Sequence, residues 1–367
     1  MVTVDGASIR ALAYPELTGS PRVGDRVLLN VTALEAGLGT GGYAFVVALP
    51  DRLPPDREIT GHMVKARYTP LQAMTASADE QGSPYHDLLA AADSVDGMPV
   101  VVADLHSALP AILAGLFQSA NSFPPAQFRT GDPQGQEADE KSASRTEAAD
   151  SPRVAYVMTD GGALPAWFSR TVAGLREAGW LAAAITAGQA FGGDLEAVTV
   201  HSALLAARHA VGADVAIVTQ GPGNLGTGTT WGYSGVAAGE AVNAAAVLGG
   251  RPVASLRVSF ADPRPRHQGI SHHSLTAYGR VALARADIVI PALPGERGTR
   301  IAGEAASLAL RHHLVTVPVD ALDEALRACP VPLSTMGRSL AEDPEYFLAA
   351  AAAGRHAASL LTPGRAS

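Results

Sequence analysis

From Met98 onward the chain alternates short, continuously apolar runs with stretches of helical spacing, and this rhythm restricts the fold more than any other feature. The apolar runs cover residues 99–103, 154–158, 181–186, 215–219, 253–260, 288–290 and 314–317. They lack the polar alternation of a half-buried strand, so both of their faces must be covered. A parallel sheet flanked by helices meets that need. Helical spacing fills the intervals at 109–117, 163–178, 195–210, 234–248, 274–284, 301–311 and 321–328. The predicted class is α/β, with a doubly wound, mostly parallel sheet and right-handed crossovers. A last helix, 345–361, is small or polar over much of its surface. It is expected across a sheet edge or a subunit boundary, which leaves a homo-oligomer open.

Residues 1–97 read differently. Short β candidates at 26–29, 43–49 and 63–68 are punctuated by Gly and Pro, with Gly37-Leu-Gly-Thr-Gly-Gly42 between the first two. A small, β-rich, barrel-like domain is expected over 1–97, followed by the α/β domain over 98–367. Between 118 and 152 the composition collapses into Ser, Pro, Gly, Gln, Asp and Glu, and 131–150 can bury almost nothing. This segment is expected to be a disordered acidic insertion within the α/β domain.

Composition removes several function classes. The net charge is -8 and no basic stripe is present to displace counterions, so nucleic acid is not an expected partner. The alanine-rich runs 244–250 and 347–353 are too short to span a bilayer, and no signal-like start is seen, so no membrane partner is expected. A single cysteine, Cys329, makes no intrachain disulfide and is read as a buried structural thiol. A soluble protein of the reducing cytoplasm is the expectation.

The chemistry-bearing residues concentrate in Asp262-Pro-Arg-Pro-Arg-His-Gln-Gly-Ile-Ser-His-His273, directly after an apolar run. His267, His272 and His273 offer proton carriers or metal ligands, and Arg264 and Arg266 offer an anion clamp. The end of a strand is where open α/β sheets bind ligands. In a loop, His267 and His272 can converge on one centre, whereas adjacent histidines on a helix or strand point apart. Asp160, Asp194, Glu196 and Asp262 are the candidate carboxylate partners at strand ends. Zn, Mn or Fe would accept such a mixed set, so a divalent metal is one reading. Acid–base work without metal is a second. The third is structural: His273 caps a helix and His272 bonds a backbone carbonyl.

A second motif, Gly221-Pro-Gly-Asn-Leu-Gly226, follows the run 215–219 and continues through Thr227 into a segment read as helical. Gly221, Gly223, Asn224, Gly226 and Thr227 are therefore candidate ligand-binding residues for phosphate or carboxylate at a helix N-terminus. No acidic residue ends a strand about 20 residues further on, which disfavours NAD(P). Thr227 stands where a Walker A motif needs Lys. A tight structural turn remains the plain alternative. Asp194, between a double glycine and Leu195, is expected to cap a helix. Gly232-Tyr-Ser-Gly235 is followed by Val236, so it is no serine-hydrolase elbow.

Taken together, Leu38-Gly-Thr-Gly-Gly-Tyr43, the segment 61–70, Gly192-Gly-Asp-Leu-Glu-Ala197, the glycine loop 221–228 and the segment 259–274 resemble a bacterial family known only as a domain of unknown function. The resemblance runs over almost the whole chain apart from the acidic insertion. It implies that both parts form one working unit, and it transfers no activity, cofactor or catalytic residue. From the residues themselves, the strand ends carrying Asp104, Asp160, 188–194, 221–228 and 262–273 are expected to gather around one cleft. The leading expectation is an enzyme acting on a small anionic molecule bearing phosphate or carboxylate, by hydrolysis or elimination. His267, His272 or His273 would work with Asp160 or Asp194. A noncatalytic small-molecule sensor and an assembly protein with its histidine loop at a subunit contact are the alternatives.

Overall fold

The structure is a computed structural model, which describes residues 1–38, 41–56, 61–120 and 151–361. Its internal contacts divide the chain into two compact units, Met1–Thr75 and Ala76–Ser367.

In the larger unit the apolar runs form one all-parallel sheet, as their lack of alternation requires. Its strands are β1 (Pro99–Val102), β2 (Val154–Thr159), β3 (Ala183–Ala187), β4 (Leu195–Ala197), β5 (Val215–Gln220), β6 (Arg251–Ser255), β7 (Asp287–Ala292) and β8 (His313–Pro318). They lie in the order β4-β3-β2-β5-β1-β6-β7-β8. Every residue of β1, β3 and β5 is buried. Alternate residues serve two cores. Val100, Val102, Ala155 and Val157 face one of them, and Val101, Val154, Tyr156 and Met158 face the other.

Helices cover both faces. On one lie α1 (Leu109–Ser119), α2 (Arg170–Glu177), α7 (Leu322–Arg327) and α8 (Pro344–Ser359). The other carries α3 (Val200–Leu205), α4 (Ala237–Val247), α5 (His272–Thr276) and α6 (Gly295–Ala305). Connections running toward β4 use α1 and α2, and those running toward β8 use α3 to α6. That division is what a single crossover hand demands.

Three expectations are corrected. Residues 195–210 are not one helix: 195–197 are β4, and α3 begins after a capping box between Thr199 and Ser202. Asp194 therefore caps no helix. Its carboxylate accepts from the Ala184 backbone N–H (2.7 Å) and from Arg176 (2.8 Å) instead. The last helix, α8, does not sit at an edge. It lies buried against α1 and across the sheet, with Phe347 and the run from Ala349 to Gly354 inside. Small residues are what permit this. A Cβ on Gly115 would stand 1.9 Å from the carbonyl oxygen of Ala351, and one on Gly354 would stand 1.8 Å from that of Ile112. The backbones of α1 and α8 thus touch at two glycines.

The smaller unit is β-rich, but the described residues form no closed barrel. Its strands are two to five residues long and pair in separate sheets. Val2–Val4 pairs with Ala7–Ile9 across Asp5 and Gly6, both at positive φ (49° and 81°), the backbone of a two-residue hairpin turn. Ala44–Ala48 joins Ala11–Leu12 to Leu28–Asn30, and Met63–Lys65 pairs with Ala73–Thr75. Strands this short leave edges open instead of closing a cylinder. Of the segment 118–152 expected as an acidic insertion, α1 takes 118–119 and residues 121–150 lie outside the described residues. Among the described residues no helix is long and apolar enough to cross a membrane.

The helix crossing is directly testable. Gly354→Ala should lower stability by roughly 2–3 kcal/mol, because the methyl group meets backbone and not a movable side chain. Urea denaturation followed by circular dichroism reads this, and an unchanged midpoint would contradict the crossing.

Candidate functional site

The sheet order creates two topological switch points. The chain leaves β2 in one direction and its neighbour β5 in the other, and β1 and β6 part in the same way. Crevices open outside the carboxyl ends of such strand pairs. Asp160 follows β2, Gly221 follows β5, Asp104 lies just beyond β1, and the histidine segment follows β6.

That segment is locked in place. Val258–Ser259 pairs antiparallel with Gly269–Ile270 and closes the loop between them. Inside it the fully buried Asp262 accepts from the Arg264 backbone N–H (3.0 Å), Nε (2.9 Å) and Nη2 (2.7 Å). Arg257 (3.4 Å) and Arg338 (3.3 Å) reach the same carboxylate. Arg338 also donates to Asp343 (2.9 Å), which accepts from Ser259 Oγ (2.8 Å). Burial pushes the Asp262 carboxyl up, but the Arg264 hydrogen bonds and positive charge outweigh it and hold the group well below the usual carboxylate range. Asp262 is thus engaged by arginines and unsuited to ligate a metal. Arg264 is committed to Asp262 as well, so the expectation that it clamps an anion is not met.

The three histidines do meet. His267, His272 and His273 each offer a nitrogen, and these atoms lie within 4.8 Å of one another. Ser271 caps α5 by accepting from the His273 N–H (3.2 Å), and its Oγ lies 2.7 Å from His267 Nδ1. Neighbours on a helix were expected to point apart, yet the rings of His272 and His273 stand 4.4 Å apart at 57°. Their place in the first turn, with no preceding turn to crowd them, permits this. Tyr233 stacks on His273 at 3.7 Å with the rings 2° from parallel, and its hydroxyl donates to the His273 carbonyl (2.7 Å). The structural alternative fails in both parts, because Ser271 does the capping and His272 bonds no carbonyl through Nε2.

Asp104 enters from β1, with Oδ2 3.8 Å from His273 Nδ1. Among the described residues, Asp104 Oδ2, Gln220 Oε1, His272 Nε2 and His273 Nδ1 are buried side-chain atoms with no hydrogen-bond partner. Each such atom costs about 1–3 kcal/mol, and they gather at one place. Burial, with the positive charges of Arg257 and Arg264, pushes His267 down to about 3. Burial, with His273 and Arg266, lowers His272 as well. Both imidazoles are neutral near pH 7 and present a lone pair.

The glycine loop differs from its expected form. Residues 227–233 do not continue into a helix. Gly226 pairs with Tyr233, and the Thr227 N–H donates to the Gly232 carbonyl (2.7 Å), making an exposed hairpin before the single turn Ser234–Val236. Gly221, Gly223, Gly226 and Thr227 therefore do not cradle a helix N-terminus. Asn224 ties the loop down by accepting from Ser234 Oγ (2.7 Å) and Gln220 Nε2 (3.2 Å). Gly162 is required beside it, since a Cβ there would stand 2.3 Å from the Gly221 carbonyl oxygen. The far end of the loop meets the histidine segment: a Cβ on Gly228 would lie 3.5 Å from Arg266 Nη2. Arg266 is exposed and forms no ion pair among the described residues.

Other expected partners stay apart from the histidines. Exposed Asp160 accepts from the Gln189 N–H (2.8 Å). Asp194 is held by Arg176 and Ala184, as described above. Glu196 accepts from the Gly192 N–H (2.6 Å) and Thr186 Oγ1 (2.8 Å) in the edge strand β4. Five strand spacings separate β4 from β6, about 24 Å, so Glu196 is no ligand of the same centre. Burial pushes the Cys329 thiol up to about 11, which removes it as a nucleophile. Asp104, Gln220 and Tyr233 complete the cluster instead. Asp104 was visible in sequence as a strand-end acid, and Gln220 as the polar residue after an apolar run. Nothing local marked Tyr233.

A second buried polar group lies beside Asp104. His106 bonds the Tyr156 hydroxyl (2.8 Å) and Ser169 Oγ (2.7 Å), and Tyr156 reaches Thr219 Oγ1 (2.9 Å). Burial pushes His106 down to about 4.

The sequence model of a family described as "Protein of unknown function (DUF3866)" matches residues 10–128 and 140–354, in keeping with the resemblance drawn from the motifs. No curated protein and no solved structure matches the chain.

Two outcomes follow from these networks. Asp262→Ala strands the buried Arg257 charge and should cost about 3–5 kcal/mol in urea denaturation. A loss below about 1 kcal/mol, typical of exposed pairs, would deny the network its role. His106 is neutral when folded and titrates near 6.5 when unfolded, so the unfolded state takes up more protons between those values. Stability should therefore fall as pH drops from about 6.5 toward about 4, and His106→Gln should flatten that slope. Identical slopes in the two proteins would contradict the assignment.

Proposed function

We propose that this chain, which belongs to the DUF3866 family of proteins of unknown function, is an enzyme acting on a small anionic substrate. One observation carries the reading. Three imidazoles and the Asp104 carboxylate, whose Oδ2 has no hydrogen-bond partner, come together at strand carboxyl ends, next to the uncommitted guanidinium of Arg266. Structural histidines in a core satisfy their nitrogens, whereas these keep two of them buried and unbonded.

The roles divide by chemistry. Arg266, lying against Gly228 at the rim, receives the phosphate or carboxylate in a charge-assisted contact. His267, His272, His273 and Asp104 carry the reaction, which is hydrolysis or elimination. Beside them, a cavity of about 10 Å³ lined by Asp104, Thr159, Thr219, Gln220 and Ser234 has room for about one water. Asp104 Oδ2 and Gln220 Oε1, both without a hydrogen-bond partner, would accept from such a water and fix its orientation.

A panel of phosphate monoesters and carboxylic acids tests the proposal. Turnover should appear with at least one of them, fall at least about 100-fold in His272→Ala, and show a KM raised about 10–100-fold in Arg266→Ala. Circular dichroism should be unchanged in both variants. Anions that raise the melting temperature with no turnover would instead mark a sensor. A change of oligomeric state in His272→Ala would mark an assembly protein.

A further inference from the structure

We propose that His267, His272 and His273 hold a divalent transition-metal ion, each through Nε2, with Asp104 orienting His273. The proposal rests on the histidine cluster being the working centre of the protein, and it names the cofactor that centre takes.

The arrangement of the second ring nitrogens assigns the ligand atoms. His267 Nδ1 is 2.7 Å from Ser271 Oγ, so a proton on Nδ1 leaves Nε2 with its lone pair. His273 Nδ1 and Asp104 Oδ2 are both buried, both without another partner, and 3.8 Å apart. A proton on Nδ1 pairs the two once they approach by less than about 1 Å, and Nε2 of His273 is again left as a lone pair. This is the carboxylate–imidazole contact that fixes tautomer and ring plane in metal-bound histidines. His272 Nε2 is buried with neither donor nor acceptor beside it. Protonated, it would need an acceptor, and deprotonated, a donor. A cation shared with the other two rings satisfies it in a way that no described side chain does.

Distances and charge agree. Metal–nitrogen bonds of about 2.0–2.1 Å place tetrahedral donors about 3.3 Å apart. One nitrogen of each ring lies within 4.8 Å of one from the others, so a closing of up to about 1.5 Å brings such donors to metal-binding separation. His272 is the partly exposed member of the three. Arg257 and Arg264 are already bound to Asp262, Arg266 is among the described residues the one uncommitted cation of the loop, and Asp104 adds one negative charge beside the ligands. A set dominated by imidazole selects Zn²⁺, Co²⁺, Ni²⁺ or Fe²⁺ over Mn²⁺, Mg²⁺ and Ca²⁺. Three protein ligands leave a position for water or substrate, as catalytic sites require and closed structural sites do not.

The test uses the full chain without an affinity tag, stripped with a chelator and titrated with Zn²⁺ and with Co²⁺. Stoichiometric uptake is expected, with a visible Co²⁺ d–d spectrum of nitrogen coordination. His272→Ala should abolish it while the far-ultraviolet spectrum stays unchanged. Asp104→Asn should weaken affinity about 10–100-fold at unchanged stoichiometry. A folded, stripped wild type that takes up neither metal overturns the proposal, as does equal uptake by His272→Ala. The enzyme reading fails separately. Full turnover by stripped protein would remove the metal and keep the enzyme, and stoichiometric metal without turnover on any substrate would do the reverse.

Discussion

Asp262 has no access to water, and a buried carboxylate survives only if its surroundings supply positive charge and donors. Here Arg257, Arg264 and Arg338 supply them, from three separate stretches of chain. The consequence is geometric. Arg257 precedes the small β-pair, Arg264 lies inside its loop, and Arg338 comes from a second antiparallel pair, Ser334–Thr335 with Arg338–Ser339, which leads into α8. One carboxylate therefore fixes the loop from within and fastens it to the C-terminal part of the unit. With that loop set, Ser271 is placed to cap α5, His267 folds back onto Ser271, and the next two histidines start a helix facing it. The geometry of the histidine cluster thus rests on a loop held by one satisfied buried charge.

The same loop shows what a sequence can and cannot reveal. The runs rich in Val, Ile and Ala were readable as buried strands, because a strand covered on both faces has no room for polar alternation. Their conversion to a parallel sheet followed from the intervening helices. β4 was not readable: Leu195-Glu-Ala continues smoothly into helical spacing, and only pairing with β3 makes it a strand. The position of α8 is hidden in the sequence for a related reason. Its small residues looked like a weak surface, when they are what lets two backbones touch.

At the site, local chemistry was legible and partnership was not. A cluster of His, Arg and Asp after a strand marked the right loop. Which carboxylate would face the histidines depended on strand order, and the order puts β1 beside β6 and β4 five places away. Asp104 was thus favoured over Glu196 by topology alone. The two arginines of the loop, equivalent in sequence, differ because only Arg264 reaches inward to Asp262. Stacking of Tyr233 on His273 joins the hairpin after β5 to the helix after β6, a contact no periodicity announces.

The seam between α1 and α8 bears on how the chain is made. Arg355 of α8 bonds Ser119 of α1 across 236 positions of sequence. As the chain leaves the ribosome, α1 emerges well before α8, and the face it turns to α8 stays uncovered until the residues between them have followed. Contacts so distant along the chain slow folding and prolong exposure of sticky surface. Nascent chains halted before α8 should therefore be the form that most needs a chaperone's shelter.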